Sequence, residues 1–213
     1  MKVECFGVGP IYTNCYFATN EETKELLVID PGGFPERLRD HVKEQGLKPV
    51  AVLLTHAHFD HILGLKGWRL LYPDIPIYAA KAEEAMLLDA DMNMTSQYAA
   101  EGVSIPADHY LSDNEEFSLI GEKIRFLLTP GHSAGSGCFY FPDEDALFSG
   151  DTLFAGSVGR WDFATGDLGA LMDSLRNKLV KLPDATVVYP GHGDATSIGE
   201  EKKFNPYVRQ DPS

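Results

Sequence analysis

The feature that most constrains this chain is a run of seven residues, Thr55-His56-Ala57-His58-Phe59-Asp60-His61. It follows directly on the apolar stretch Val50 to Leu54. A short stretch apolar at every position reads as a strand buried on both faces of a sheet. The four imidazole or carboxylate side chains therefore leave the end of a rigid central strand. Loops at strand ends are where a fold can bring several chemical groups to one point. His-x-His-x-Asp-His should arise by chance in fewer than about one in a thousand chains of this composition, so ordinary polar histidines are a poor explanation for it.

The same arrangement recurs. Thr129-Pro130-Gly131-His132-Ser133 follows the apolar segment ending at Leu128, and Ser149-Gly150-Asp151-Thr152 follows Ala146 to Phe148. Pro190-Gly191-His192-Gly193 follows the segment ending at Tyr189. Four strand ends thus deliver metal-competent side chains into Gly-rich loops. Neutral imidazole and carboxylate suit divalent first-row metals, zinc first, with iron or manganese as alternatives. Four donors within six residues do not all reach one ion comfortably, so a second ion nearby is expected. None of Cys5, Cys15 and Cys138 lies near these positions, which argues against a structural thiolate zinc site. His41 and His109 stand apart from the four loops and are expected to be structural or solvated.

The remaining pattern is layered α/β. Strands are predicted at Val3 to Val8, Asn14 to Ala18, Leu26 to Ile29, Ile75 to Tyr78, Glu122 to Leu128, Gly137 to Phe141, Ala146 to Phe148 and Thr186 to Tyr189. Helices are predicted at Pro35 to Gln45, Gly64 to Leu71, Ala82 to Asp89, Leu168 to Leu182 and Ile198 to Phe204. Runs of strands mixed with helices point to mixed sheets rather than an all-parallel one. Residues 90 to 116 show no clean period and read as a long loop or short helices. No Gly-x-Gly-x-x-Gly follows a strand, so no dinucleotide site is expected.

Charge narrows the partners. The 213 residues carry 32 Asp plus Glu against 18 Lys plus Arg, a net charge of −14. Phosphate neutralisation needs clustered cations, so nucleic acid is excluded, as are anionic membrane surfaces. The longest apolar runs fall far short of the ~20 residues of a membrane span. Met1-Lys2-Val3-Glu4-Cys5 lacks a signal-peptide core. A cytoplasmic protein with free thiols is the expectation.

With Asn14-Cys15-Tyr16, Ile29-Asp30-Pro31-Gly32, Gly150-Asp151-Thr152-Leu153-Phe154 and Gly156-Ser157-Val158-Gly159-Arg160 added to these motifs, the chain resembles the metallo-β-lactamase superfamily. Within it, the chain is similar to the short bacterial members of the glyoxalase II-like (hydroxyacylglutathione hydrolase-like) branch. The resemblance implies a four-layer αββα sandwich in a single domain over 1–213, with no separate C-terminal glutathione-binding domain. It implies two divalent ions, one held by His56, His58 and His132 and the other by Asp60, His61 and His192, with Asp151 bridging. It implies hydrolysis of a small-molecule thioester or ester by a metal-bridging hydroxide, oriented by Asp60. An iron-dependent persulfide dioxygenase or a lactonase of the same fold is the alternative. Asp30 is expected to support a ligating His, and Thr55 and Ser133 to shape loops. Arg160 is expected to pair with Asp162 or to hold a substrate carboxylate. Phe154, Trp161 and Tyr12 are candidate pocket walls, Phe154 foremost. Gly193-Asp194 stands where the branch has a glutathione-binding Tyr, so the thiol carrier is left open.

Overall fold

The computed structural model describes residues 1–209, which form two compact units. The first unit comprises residues 1–111 and 119–122, and the second comprises residues 112–118 and the described chain from Lys123 to Arg209.

The first unit is built on a six-stranded mixed sheet. In chain order its strands are β1 (Lys2–Val8), β2 (Thr13–Thr19), β3 (Glu25–Ile29), β4 (Lys48–Leu53), β5 (Ile77–Ala80) and β6 (His109–Leu111), which also lie side by side in that order. The first three pair antiparallel, and β3 through β6 pair parallel. Parallel pairing demands crossovers, supplied by α1 (Glu36–Glu44), by α2 (Phe59–Ile62) with α3 (Leu65–Leu71), and by α4 (Glu84–Leu88). Leu38 and Val42, four apart on α1, sink into a core with Phe17, Val28, Leu54 and Trp68. Gly46, at φ 63°, ends α1 in the left-handed conformation that glycine adopts without strain.

The second unit holds another mixed sheet. Its strands are β7 (Glu116–Leu119), β8 (Glu122–Leu128), β9 (Gly137–Phe141), β10 (Ala146–Gly150), β13 (Val187–Pro190) and β14 (Thr196–Ser197), with a small hairpin of β11 (Leu153–Phe154) and β12 (Ser157–Val158) apart from it. The order is β14-β13-β10-β9-β8-β7, with β10 and β13 parallel. Helix α5 (Leu168–Asn177) is capped by the Asp167 carboxylate, which accepts the Ala170 N–H, and buries Leu171 and Leu175 against Leu147 and Val188. Helix α6 (Ile198–Phe204) starts in the same way on the Ser197 hydroxyl.

Three sequence expectations are corrected. The helix predicted to Leu182 stops at Asn177, because Lys178 leaves helical geometry (ψ −65°, φ −119°). A short 3₁₀ turn, Leu179–Lys181, then keeps Leu179 buried and so preserved the apolar period. The strand predicted from Ile75 pairs only from Ile77, since Pro76 has no N–H for the ladder. Residues 90 to 116 hold a short 3₁₀ turn, Thr95–Gln97, in line with one of the two expectations, but also β6 and the start of β7, each too short to show a period. No helix of the described residues is long and apolar enough to cross a membrane. The three cysteines are free thiols, and burial pushes that of Cys15 well up.

Candidate metal centre

In the first unit the His56–His61 loop leaves β4 and turns at once into α2. His56, His58, Asp60 and His61 are all buried. Asp30, at the end of the neighbouring strand β3, reaches across to this loop. Its Oδ1 accepts the Thr55 N–H (2.8 Å) and its Oδ2 accepts the Thr55 hydroxyl (2.7 Å). Since that hydroxyl proton points at Asp30, His56 Nδ1, 3.1 Å from Thr55 Oγ1, is the donor in that contact. The lone pair of His56 is therefore on Nε2. His61 Nδ1 stands 2.9 Å from the same Asp30 oxygen. Its Nε2 stands 3.3 Å from Asp60 Oδ2, so each ring nitrogen of His61 faces a carboxylate. One buried carboxylate thus sets the His56 tautomer through Thr55 and lies beside His61.

Two further supports were not visible in the sequence. Thr13, on β2, donates its hydroxyl to Asp60 Oδ2 at 2.6 Å. Glu83, almost wholly buried, accepts the N–H of Ala57 at 2.8 Å, between His56 and His58. Nothing in the sequence separates Glu83 from its neighbour Glu84, which pairs with Lys81 at the surface.

Gly32 allows the Asp30 turn to lie against the loop. A Cβ there would overlap the carbonyl oxygen of Asp60.

In the second unit the donors come from three separate strand ends. β10 and β13 lie side by side, and Gly191 N–H bonds to Gly150 O (2.8 Å) just where the strands end. Asp151 and His192 therefore emerge together, with His192 Nε2 3.7 Å from Asp151 Oδ2. His132, beyond β8, brings its Nε2 to 3.5 Å from that same oxygen. Its Nδ1 is 2.7 Å from the carbonyl of Arg160. A carbonyl only accepts, so Nδ1 carries the proton and Nε2 the lone pair. The Thr129 and Thr152 hydroxyls bond across the two loops at 2.9 Å. Gly159 matches Gly32: a Cβ on it would overlap the carbonyl oxygen of Asp151.

The chemistry of this donor set suits divalent metal. The two imidazoles whose tautomers are fixed, His56 and His132, both present Nε2 lone pairs, and the carboxylates Asp60 and Asp151 are buried. Each cluster of three or more metal-competent His, Cys, Asp or Glu donors among the described residues draws only on these seven side chains.

The other candidates are placed as follows. Arg160 makes a two-pronged pair with Asp162 (2.9 and 3.0 Å) and lies over the Phe163 ring. Phe154 stands edge-on to His192, 6.1 Å between ring centroids. Trp161 packs on the second unit's core, and Tyr12 is largely exposed. The Ser133 hydroxyl bonds that of Ser136, shaping its loop. His41 packs edge-on to Phe6 beside Glu4, and His109 stacks on Tyr78.

Fold and donor set together define a metal-binding protein of the metallo-hydrolase type. The family profile described as the metallo-β-lactamase superfamily matches residues 8–192, and the chain belongs to that superfamily. It is 40% identical to the probable metallo-hydrolase YqgX of Bacillus subtilis over 98% of both chains. It is 31% identical to the hydroxyacylglutathione hydrolase GloC of Haemophilus influenzae, again over 98% of both. Among solved structures it resembles the BLEG-1 B3 metallo-β-lactamase, with TM-score 0.90, 39% identity, and 97% and 99% of the two chains covered. It also resembles TTHA1623 in a di-iron-bound form, with TM-score 0.82, 35% identity, and 96% and 100% covered. ETHE1 from Myxococcus xanthus matches with TM-score 0.77 and 27% identity, covering 98% and 84%.

Proposed function

We propose that the chain is a dinuclear metal-dependent hydrolase of a small-molecule thioester or ester, glyoxalase II-like in its chemistry. His56, His58 and His132 would hold one ion and Asp60, His61 and His192 the other, with Asp151 available to both. On this reading the chain works as one catalytic domain. The observation that carries it is the fixing of tautomers: Asp30, through Thr55, and the Arg160 carbonyl leave His56 and His132 with Nε2 lone pairs. Ions held by these residues, zinc foremost, would supply Lewis acidity and make a bound water acidic enough to ionise near neutral pH.

The chain's own groups do the rest. Asp60, steadied by the Thr13 hydroxyl, orients the attacking oxygen as well as binding metal. Metal ligation draws on the neutral form of an imidazole, so binding of the ions would be favoured as pH rises. A thiolate departs with little protonation, so no Ser, Cys or Lys nucleophile and no dedicated general acid is needed. Phe154, beside His192, walls the site, and Arg160 meets a substrate carboxylate only by sharing its guanidinium with Asp162. The surplus of acidic residues excludes polyanionic partners but not a small substrate drawn to the ions.

The 31% identity to a hydroxyacylglutathione hydrolase supports thioester chemistry. The di-iron-bound relative and the match to ETHE1 favour one second reading, an iron-dependent oxidoreductase acting on a persulfide. The test is metal analysis of the purified protein beside a panel of thioesters that includes S-lactoylglutathione. Oxygen uptake is measured in parallel with glutathione persulfide. Thioester cleavage without oxygen uptake supports the hydrolase, and oxygen uptake without cleavage supports the oxidoreductase.

A further inference from the structure

The stretch between α4 and β6 is irregular, but it is built. Asn93, fully buried, donates its amide to the carbonyls of Met86 (3.0 Å) and Val103 (2.9 Å). Its Oδ1 accepts the Thr95 N–H (3.0 Å) and hydroxyl (2.6 Å), and Thr95 Oγ1 accepts the Val103 N–H (2.7 Å). Two side chains thus pin both ends of the segment. The short turn Thr95–Gln97 that follows presents Tyr98.

Tyr98 lies flat on Phe59, with ring centroids 4.0 Å apart and planes 2° from parallel. Phe59 is buried and sits between His58 and Asp60 in the donor loop. One face of the Tyr98 ring is covered, yet the residue is 50% exposed. An aromatic ring held rigid at the edge of a donor loop offers apolar contact at small entropic cost. Met92 from the same segment and Leu88 at the end of α4 are exposed as well. No Lys or Arg occurs from Ala82 to Glu122, whereas Glu84, Asp89, Asp91 and Glu101 all do. The segment offers apolar surface and no cation of its own, and the Lys66 ammonium that reaches it from α3 is taken up by Glu101 at 3.4 Å.

We propose that Tyr98 is a specificity-determining residue that contacts the carrier portion of the substrate and selects an apolar, uncharged thiol over a carboxylate-bearing one. The proposal rests on the hydrolase reading of the site and names the substrate class within it.

The experiment compares thioesters of one hydroxy acid on benzyl mercaptan and on glutathione, with metal-loaded wild type, Tyr98→Ala and Tyr98→Phe. Binding of a neutral ketone analogue of the benzyl compound, with CH2 in place of sulfur, is measured by calorimetry. Wild type is expected to favour the benzyl carrier in KM. Tyr98→Ala should raise the benzyl KM and weaken the analogue about fivefold, with kcat and metal content little changed. Tyr98→Phe should behave as wild type. Equal KM and analogue affinity in wild type and Tyr98→Ala would overturn the proposal, as would a wild-type preference for glutathione or no binding of the analogue. If the analogue binds through Tyr98 but neither thioester is cleaved, the apolar wall stands and the hydrolase reading falls.

Discussion

The two units reach similar chemistry by opposite routes. The first packs four donors into six consecutive residues and steadies them with side chains borrowed from elsewhere: Asp30, Glu83 and Thr13. The second collects His132, Asp151 and His192 from three strand ends and steadies His132 with a backbone carbonyl. A compact motif crowds like charges and lone pairs together, so it needs dedicated partners to fix each group. A dispersed set is placed by sheet topology, since β10 and β13 run parallel and end together. Local donors are therefore sensitive to their supports, and dispersed donors to the backbone that spaces them.

If both sets serve one centre, removing a donor from either unit should do equal damage. Asp60→Ala in the first and Asp151→Ala in the second should each lower kcat/KM about a hundredfold to thousandfold, with a matching fall in bound metal. Full turnover in either variant would break the pairing of the two sets.

The glycines test the backbone half of the comparison. Gly32→Ala and Gly159→Ala each drive a methyl group into a carbonyl of a carboxylate-bearing residue. Each should cost about 1–3 kcal/mol of stability, read as a lower thermal midpoint. A midpoint unchanged in both would show that these contacts relax freely.

The supports should separate the units more finely. Asp30→Ala and Glu83→Ala should weaken metal affinity about tenfold to a hundredfold, measured by competition with a chelating dye. Glu83→Gln keeps an oxygen to accept the Ala57 N–H and should retain most of that affinity. A Glu83→Ala protein that binds metal like wild type would remove Glu83 from the list of supports.

Arg160→Ala should have the smallest effect. The exposed guanidinium pairs with Asp162, while the atom that holds His132 is the backbone carbonyl, which survives the substitution. Metal content should not change. A raised KM with unchanged kcat would mark the side chain as a substrate contact.

This contrast also explains what the sequence made legible. The His56–His61 motif is readable because its donors are adjacent. His132, Asp151 and His192 are readable only because the pattern of apolar strand, glycine and donor recurs. Asp30 stood out through its Asp-Pro-Gly turn at a strand end. Glu83 and Thr13 did not, since a buried carboxylate 26 positions from Ala57 looks like any acidic residue near a helix start. The Arg160 carbonyl is invisible in principle, because a sequence specifies side chains and not which backbone atoms meet them. The 90–107 segment hid for a related reason: Asn93 and Thr95 organise it with hydrogen bonds that leave no hydrophobic period.

Metal content and thioester turnover, measured on the same purified protein before and after chelation, test the dinuclear hydrolase most directly. The expected result is two ions per chain, loss of cleavage on chelation, and recovery only when both ions are restored. Cleavage that persists in the chelated protein, or full activity with a single ion, would contradict it.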